Sequence, residues 1–351
     1  MSLHPTGEPA PVLLIPYNWI GDFVRGHSVV KLLRAQSPER PVDILATPLC
    51  APLVDYMPGV RRTIVAELPR RRIALRKQLA LSELIEAQNY GRTIVLPRTW
   101  KAVLAPFLAG IPVRTGFFGE ARFVLLNDLR FGERALPRMI DRMGALALPR
   151  NAPLPKEWPL PELVVPPHEI DAWKKRRGLA GEKRPVVTLA PGAVGAGKAW
   201  PVSHFAQLAR ALAADGASIW ILGGPHETEL AKEIMSLGGN AVRDLTGNDL
   251  RDAILALAAA DVAVTNDSGL MHVAAAIGAP TVAIFGPTSP WHQKPLNPLA
   301  AIVEPPGDDA ARERARAQGN DAVAHMRTSD VAVETVLAAV RRVLSENVPK
   351  A

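Results

Sequence analysis

The sequence has little cysteine and few aromatic residues. Cys50 is the single cysteine among 351 residues, so the chain can form neither a disulfide framework nor a cysteine-based metal site. Cys50 stands beside Pro48 and Pro52, after an apolar run, and this setting favours a packed small side chain over a nucleophile. Aromatic residues make up 5% of the chain and no nucleic-acid-binding motif is present, which argues against a nucleic-acid-binding protein.

Long apolar runs are also missing. No stretch reaches the ~18 unbroken apolar residues that a membrane-spanning helix needs, and the polar first eleven residues contain no apolar signal core. We therefore expect a cytoplasmic protein that contacts a membrane only at its periphery, if at all. The formal net charge of +7 and the pI near 9.7 favour an anionic partner.

Short apolar runs alternate with segments of helical spacing along the whole chain. Such alternation predicts an α/β protein with parallel sheets covered by helices. The predicted strands are Pro11–Pro16, Val42–Ala46, Arg92–Leu96, Val113–Phe117, Val186–Ala190, Ser218–Leu222, Asp261–Thr265 and Thr281–Phe285.

A proline-rich segment divides the alternating pattern into two series. Seven prolines stand between Pro149 and Pro167, and proline resists both helices and central strands because it lacks an amide donor. We predict that this segment links a first Rossmann-like domain, residues 1–165, to a second, residues 166–330.

Polar loops follow several of the predicted strands, where ligands of open parallel sheets bind. One of these loops follows the predicted strand Asp261–Thr265. In it, Asp267, Ser268 and Gly269 precede a predicted helix, and His272 lies on the same helix face as Ser268. Free amides and the positive helix terminus there suit a diphosphate.

A glycine-rich loop follows the strand Val186–Ala190. It contains Gly192, Ala193 and Lys198, and it differs from a nucleotide triphosphatase loop because Ala199 stands where a magnesium-binding hydroxyl is required. Lys198 is a suitable counter-charge for a departing diphosphate.

Two carboxylates at strand ends have alternative interpretations. Glu227 could accept hydrogen bonds from ribose or sugar hydroxyls, or complement a helix dipole. Asp22, in the first strand-to-helix loop, could take a proton from an attacking hydroxyl or cap the helix. The absence of a GxGxxG motif after any predicted strand argues against a dinucleotide-dependent dehydrogenase.

These segments together resemble motifs of the ADP-heptose:lipopolysaccharide heptosyltransferases, glycosyltransferase family 9, and most of all the heptosyltransferase II branch. The resemblance covers nearly the whole chain in the same order. The matching segments are Ile20–Asp22, Pro191–Pro201, Gly223–Glu227, Asp244–Gly247, Asn266–Pro280 and Phe285–Thr288.

The resemblance implies a GT-B fold, in which two Rossmann-like domains face a central cleft and a last helix, residues 331–351, returns toward the first domain. It implies an inverting transfer of L-glycero-D-manno-heptose from ADP-heptose to the lipopolysaccharide inner core, without a metal or other cofactor. The expected acceptor is anionic Kdo-lipid A or its heptosylated form. We further expect a monomer, peripheral contact with the inner membrane, and no nucleic-acid partner.

Residue roles follow from the same resemblance. Asp22 matches the general base, and Lys198 the lysine that stabilises the leaving diphosphate. Expected donor-binding residues are Gly192, Ala193, Lys198, Glu227 (adenosine), Asp267 (heptose hydroxyls), Ser268, Gly269 and His272 (diphosphate). The expected acceptor-binding residues, which could instead form a solvated helix face, are Arg70, Arg71, Arg72, Arg76 and Lys77.

Other functions stay open at this point. A different GT-B nucleotide-sugar transferase or an epimerase would share the diphosphate site. A non-catalytic nucleotide-sugar-binding paralogue would not need Asp22 and Lys198.

Overall fold

The computed structural model describes residues 9–69, 73–238, 242–307, 309–317 and 326–347. The chain divides into two compact units, Met1–Pro161 and Glu162–Ala351. This division falls inside the proline-rich segment.

The first unit contains a parallel six-stranded sheet and five α-helices among its described residues. The strands are β1 (Val12–Ile15), β2 (Val42–Ala46), β3 (Val60–Val65), β4 (Arg92–Val95), β5 (Val113–Phe117) and β6 (Asp128–Arg130). The helices are α1 (Ile20–Gln36), α2 (Ala51–Val54), α3 (Leu75–Glu86), α4 (Lys101–Leu108) and α5 (Met139–Ala145). The strand order is β3-β2-β1-β4-β5-β6, with β1 central and buried along its whole length.

The second unit repeats this plan. Its strands are β7 (Val186–Ala190), β8 (Ser218–Ile221), β9 (Val242–Asp244), β10 (Val262–Asn266), β11 (Thr281–Ile284) and β12 (Ala300–Val303). Its helices are α6 (Pro167–Arg176), α7 (Val202–Ala214), α8 (Thr228–Gly238), α9 (Leu250–Ala259), α10 (Gly269–Ile277), α11 (Pro290–Gln293), α12 (Asp309–Ala317) and α13 (Val333–Asn347). The strand order is β12-β11-β10-β7-β8-β9, and every pair is parallel.

The last helix packs within the second unit. Val336, Val340 and Val343 of α13 are buried in the same core as the strands β7, β10 and β11. Just before it, the carbonyl of Val331 accepts a hydrogen bond of 2.9 Å from the indole of Trp200. These contacts hold α13 on the second sheet, and its return toward the first unit stays a prediction.

The edge strand β6 is fixed by a network around Asp128. Burial raises the pKa of Asp128, but hydrogen bonds from Arg130, Thr115 and Arg150 outweigh burial and lower it to about 2. Because the folded-state pKa is depressed, the network stabilises the protein above the unfolded pKa of about 4. This stability is lost as the pH falls from about 4 to about 2.

We expect Asp128→Asn to lower the free energy of unfolding of the first unit by about 2 kcal/mol at neutral pH. Urea unfolding of wild type and variant, measured from neutral pH downward, should show the difference shrinking as the acid range is entered. Asp171→Asn, at an exposed position of α6, is the control. If the free energies of unfolding of Asp128→Asn and wild type differed by the same amount at every pH, the depressed pKa of Asp128 would not be the source of the stabilisation.

Candidate active site

Three residues that follow three neighbouring strands, β7, β10 and β11, meet at the carboxyl edge of the second sheet. The Lys198 ammonium lies 2.6 Å from Oδ2 of Asp267, with side chains that are 21% and 7% exposed. The hydroxyl of Thr288 donates to the same carboxylate oxygen at 2.6 Å. The cluster therefore joins the loops after β7 and β11 to the end of β10.

The strand register explains why these residues meet. Thr265 of β10 is paired with Ala190 of β7, and Asn266 is paired with Ile284 of β11. The amide of Asp267 continues this ladder by donating to the carbonyl of Ile284 at 3.1 Å. The carboxylate consequently leaves the sheet between the loops that carry Lys198 and Thr288.

Asn266 fastens the glycine-rich loop to β10. Its side chain is fully buried, donates to the carbonyl of Pro191 at 2.7 Å and accepts from the amide of Trp200 at 3.1 Å. The two ends of the loop that carries Lys198 are thereby held by one side chain. The sequence pattern placed Asn266 at a strand end but did not show this role.

Glycine is required where this loop turns and where it passes a neighbouring segment. Gly195 and Gly197 have φ values of +122° and +74°, which side chains rarely adopt. A Cβ on Gly197 would lie 2.8 Å from Cδ of Arg327. The carbonyl of Gly197 also accepts hydrogen bonds from the amide and hydroxyl of Thr328, at 3.1 and 3.0 Å.

The carboxylate of Glu227 lies against Gly192. A Cβ on Gly192 would be 2.9 Å from Oε1 of Glu227, and a Cβ on Gly223 would be 2.5 Å from its Cβ. Both glycines therefore make room for this side chain. Ala193, the next residue of the loop, is half-buried.

The amino end of α10 lies beside this cluster. Ser268 is the N-cap residue in extended conformation, and its hydroxyl makes no capping hydrogen bond. Gly269 begins the helix, and its first amides have no partner within the helix. His272 is buried in the first turns, with 5% exposure. The terminus presents the partial positive charge that favours an anion.

In the first unit, Asp22 lies in the first turn of α1, where Trp19 is the N-cap residue. Asp22 is therefore not the N-cap residue itself. Its carboxylate forms an ion pair with Arg25 one turn later, and the two side chains are 16% and 7% exposed. A buried guanidinium thus holds and orients the Asp22 carboxylate.

Tyr17, which interacts electrostatically with Asp22, belongs to a group of polar residues that no sequence motif identifies. Burial raises the pKa of Tyr17 well above its usual value, and the charges of Glu133 and Asp22 act in the same direction, so the phenol stays neutral. Glu133 pairs with Arg98 at 3.2 Å. Arg122, 1% exposed, donates to the carbonyls of the strand ends around it. No pattern in the sequence singled out Tyr17, Arg122 or Glu133.

The predicted acceptor-binding residues are only partly described. Arg70, Arg71 and Arg72 lie outside the described residues. Arg76 and Lys77 are exposed in the first turn of α3, and Lys77 donates to the carbonyl of Glu67 at 3.2 Å.

Comparison with known proteins decides the family. The family model described as glycosyltransferase family 9 (heptosyltransferase) matches residues 78–323. The chain belongs to glycosyltransferase family 9. Lipopolysaccharide heptosyltransferase 2 of Salmonella typhimurium is 34% identical to it over 350 residues, which cover 95% of this chain and 99% of that protein.

Two further similarities extend this result. Lipopolysaccharide heptosyltransferase 2 of Escherichia coli is 36% identical over 306 residues, which cover 83% of this chain and 87% of that protein. The solved structure of Escherichia coli ADP-heptose heptosyltransferase II matches with a TM-score of 0.80 and 33% identity, covering 96% of this chain and 99% of that one. The predicted family, the α/β GT-B fold and the glycosyltransferase class are confirmed.

Among the residues that the structure describes, no group of three or more His, Cys, Asp or Glu side chains could hold a metal ion. The prediction that no cofactor is needed stays a prediction. None of the described helices is long and apolar enough to cross a membrane. Cys50 is buried, and burial raises the pKa of its thiol, in agreement with a packed residue.

Proposed function

We propose that this chain is an inverting glycosyltransferase that moves L-glycero-D-manno-heptose from ADP-heptose to the inner core of lipopolysaccharide. The cluster of Lys198, Asp267 and Thr288 beside the amino end of α10 carries the proposal. The similarity to heptosyltransferase 2 over nearly the full length supports the choice of donor and acceptor. We place the reaction on the cytoplasmic side of the inner membrane, with a monomeric enzyme and no metal.

The donor half of the reaction belongs to the second unit. Without donor, Asp267 neutralises the charge of Lys198. A diphosphate carries more negative charge than one carboxylate, so it can draw Lys198 toward itself while the amides of α10 bind its other oxygens. Asp267, still bonded to Thr288, is then available to accept hydrogen bonds from heptose hydroxyls. Glu227, which lies against Gly192, is the residue that we propose to contact the adenosine.

The acceptor half belongs to the first unit. Asp22, oriented by Arg25, takes the proton of the acceptor hydroxyl as that oxygen attacks the anomeric carbon. The bond from this carbon to the diphosphate breaks, and ADP leaves with the bonding electron pair, so the anomeric configuration inverts. Lys198 and the helix terminus stabilise the charge that develops on the leaving group. Arg76 and Lys77, with Arg70, Arg71 and Arg72, would contact the anionic acceptor.

The test is an incubation of purified protein with ADP-heptose and a heptose-deficient lipopolysaccharide acceptor. We expect one ADP to be released for each heptose added, as followed by coupled assay and product mass. Binding of ADP without transfer would indicate another donor sugar or acceptor, as in a different GT-B enzyme. Failure to bind ADP would refute the diphosphate site.

Thr288→Val is expected to weaken ADP-heptose binding by about five- to tenfold, or about 1–1.5 kcal/mol, because the variant loses the hydroxyl that orients the Asp267 carboxylate toward the heptose hydroxyls. Titration calorimetry with ADP-heptose and with ADP measures the effect. Since Asp267 is proposed to contact the sugar, the loss should be smaller for ADP. Thr288→Ser keeps the hydroxyl and should bind like wild type. Equal losses for ADP-heptose and ADP would contradict this arrangement.

A further inference from the structure

One buried side chain from a distant part of the chain holds the backbone on both sides of Lys198. Thr328 is 1% exposed, and its hydroxyl donates to two carbonyl oxygens, that of Gly197 at 3.0 Å and that of Ala199 at 2.8 Å. The amide of Thr328 also donates to the Gly197 carbonyl, at 3.1 Å. Gly197 and Ala199 are the two chain neighbours of Lys198, so these hydrogen bonds fix the backbone from which the lysine side chain extends.

Thr328 belongs to a short segment that is tied to the core of the second unit. Three residues further on, the carbonyl of Val331 accepts the 2.9 Å hydrogen bond from the indole of Trp200, and both of these residues are 1% exposed. Val331 lies in the same apolar core as the buried residues of α13. The position of Lys198 therefore depends on the packing of this segment as well as on its own loop.

The loop after β11 reaches the same point. A Cβ on Gly286 would lie 2.6 Å from the amide nitrogen of Thr328 and 2.9 Å from the carbonyl oxygen of Gly197. Non-bonded atoms do not come this close, so the contact requires glycine. Gly286 stands two residues before Thr288, whose hydroxyl bonds Asp267. The two loops that supply the cation and the hydroxyl of the cluster thus meet against Thr328.

The outer half of the glycine-rich loop is poorly suited to position a side chain. Val194 is 75% exposed, and Gly195 and Ala196 are exposed beside it. Gly195 has a φ of +122°, and glycine is conformationally permissive. Lysine adds a flexible four-carbon stem. The Lys198 ammonium can therefore be held at a defined point only if the backbone below it is anchored elsewhere.

We propose that Thr328 is a positioning residue for Lys198 in the transfer reaction. It holds the backbone of Gly197 and Ala199 so that the ammonium stands where charge develops on the departing diphosphate. A charge stabilises a leaving group best when it is already in place, because no reorganisation is then needed during the reaction. In this role Thr328 acts through Lys198. The inference rests on the proposed function, in which Lys198 stabilises the leaving diphosphate.

The test is a double-mutant cycle between Thr328→Val and Lys198→Ala in the whole chain, with kcat for heptose transfer and calorimetric ADP affinity as readouts. Thr328→Val removes the hydroxyl and nearly keeps the shape of the side chain. With Lys198 present, it should lower kcat by about ten- to a hundredfold and ADP affinity by only about two- to fourfold, because misplacement affects the transition state most. In the Lys198→Ala background it should lower neither quantity further, since the group that Thr328 positions is gone.

Three more variants sharpen the result. Thr328→Ser keeps the hydroxyl and should restore most of the wild-type kcat. Ser329→Ala removes the exposed hydroxyl of the next residue and should leave kcat and ADP affinity unchanged. Gly286→Ala pushes on the same hydrogen bonds from the other loop. It should lower kcat as Thr328→Val does, and again only when Lys198 is present.

Two results would overturn the proposal. The kcat of Thr328→Val could equal that of wild type, or Thr328→Val could cause the same loss with and without Lys198, together with a lower Tm. The second result would give Thr328 a role in stability alone. Failure of the proposed function is distinguishable from both. If wild type binds ADP but transfers no heptose, the donor sugar or acceptor is refuted, while the ADP-affinity cycle still shows whether Thr328 acts through Lys198.

Discussion

Asp22→Asn is expected to lower kcat for heptose transfer by about a thousandfold, within the range for loss of a general base. Asparagine has nearly the same shape and can still accept a hydrogen bond from Arg25, but it cannot take the proton of the acceptor hydroxyl. ADP-heptose affinity should stay at the wild-type value, because the donor residues lie in the second unit. Steady-state kinetics with both substrates and calorimetry with ADP-heptose measure the two quantities.

The control for this variant is Asp55→Asn, which removes an exposed carboxylate from the same unit and should leave kcat unchanged. A kcat within about threefold of wild type for Asp22→Asn would rule out its role as base, since general bases contribute at least about a hundredfold. A thousandfold loss accompanied by a lower Tm would instead mean that the ion pair with Arg25 mainly stabilises α1.

The strands that the sequence predicted are the inner strands of both sheets. β1, β2, β4 and β5, and likewise β7, β8, β10 and β11, are largely buried and read as apolar runs. The four strands that the sequence did not predict are the sheet edges, namely β3, β6, β9 and β12.

Edge strands escape prediction because one side of them meets solvent. β3 contains the exposed residues Arg61 and Arg62, which interrupt any apolar pattern, and charged residues are common where an edge must not pair further. β6 and β9 are three residues long, which is too short to show a repeating pattern of apolar and polar residues. Their pairing depends on the inner strands already being in place.

The sequence likewise predicted some residues of the candidate site and missed others. Strand ends followed by polar residues predicted Lys198 and Asp267 correctly as neighbours of the carboxyl edge, but their direct contact depends on strand order and register. Thr288 was visible only as part of a motif. Arg122 and Glu133 could not be found, because an isolated charged residue in a loop looks the same whether it is buried or solvated.

Lys198→Ala is expected to lower kcat by about a hundred- to a thousandfold, the usual loss when a preorganised charge on a leaving group is removed. ADP affinity should also fall, because the ammonium binds the diphosphate in the ground state as well. Stopped assays of ADP release and calorimetry with ADP measure both. The control is Lys183→Ala, at an exposed position before β7, which should change neither kcat nor ADP affinity.

A structural cost accompanies this catalytic loss and can be separated from it. Asp267 is 7% exposed, so removing Lys198 leaves a buried carboxylate without its cation, which destabilises the fold. The double variant Lys198→Ala/Asp267→Asn should therefore regain Tm relative to Lys198→Ala, while its kcat stays low. Recovery of kcat together with Tm would show that Lys198 serves to neutralise Asp267 and takes no part in stabilising the departing diphosphate.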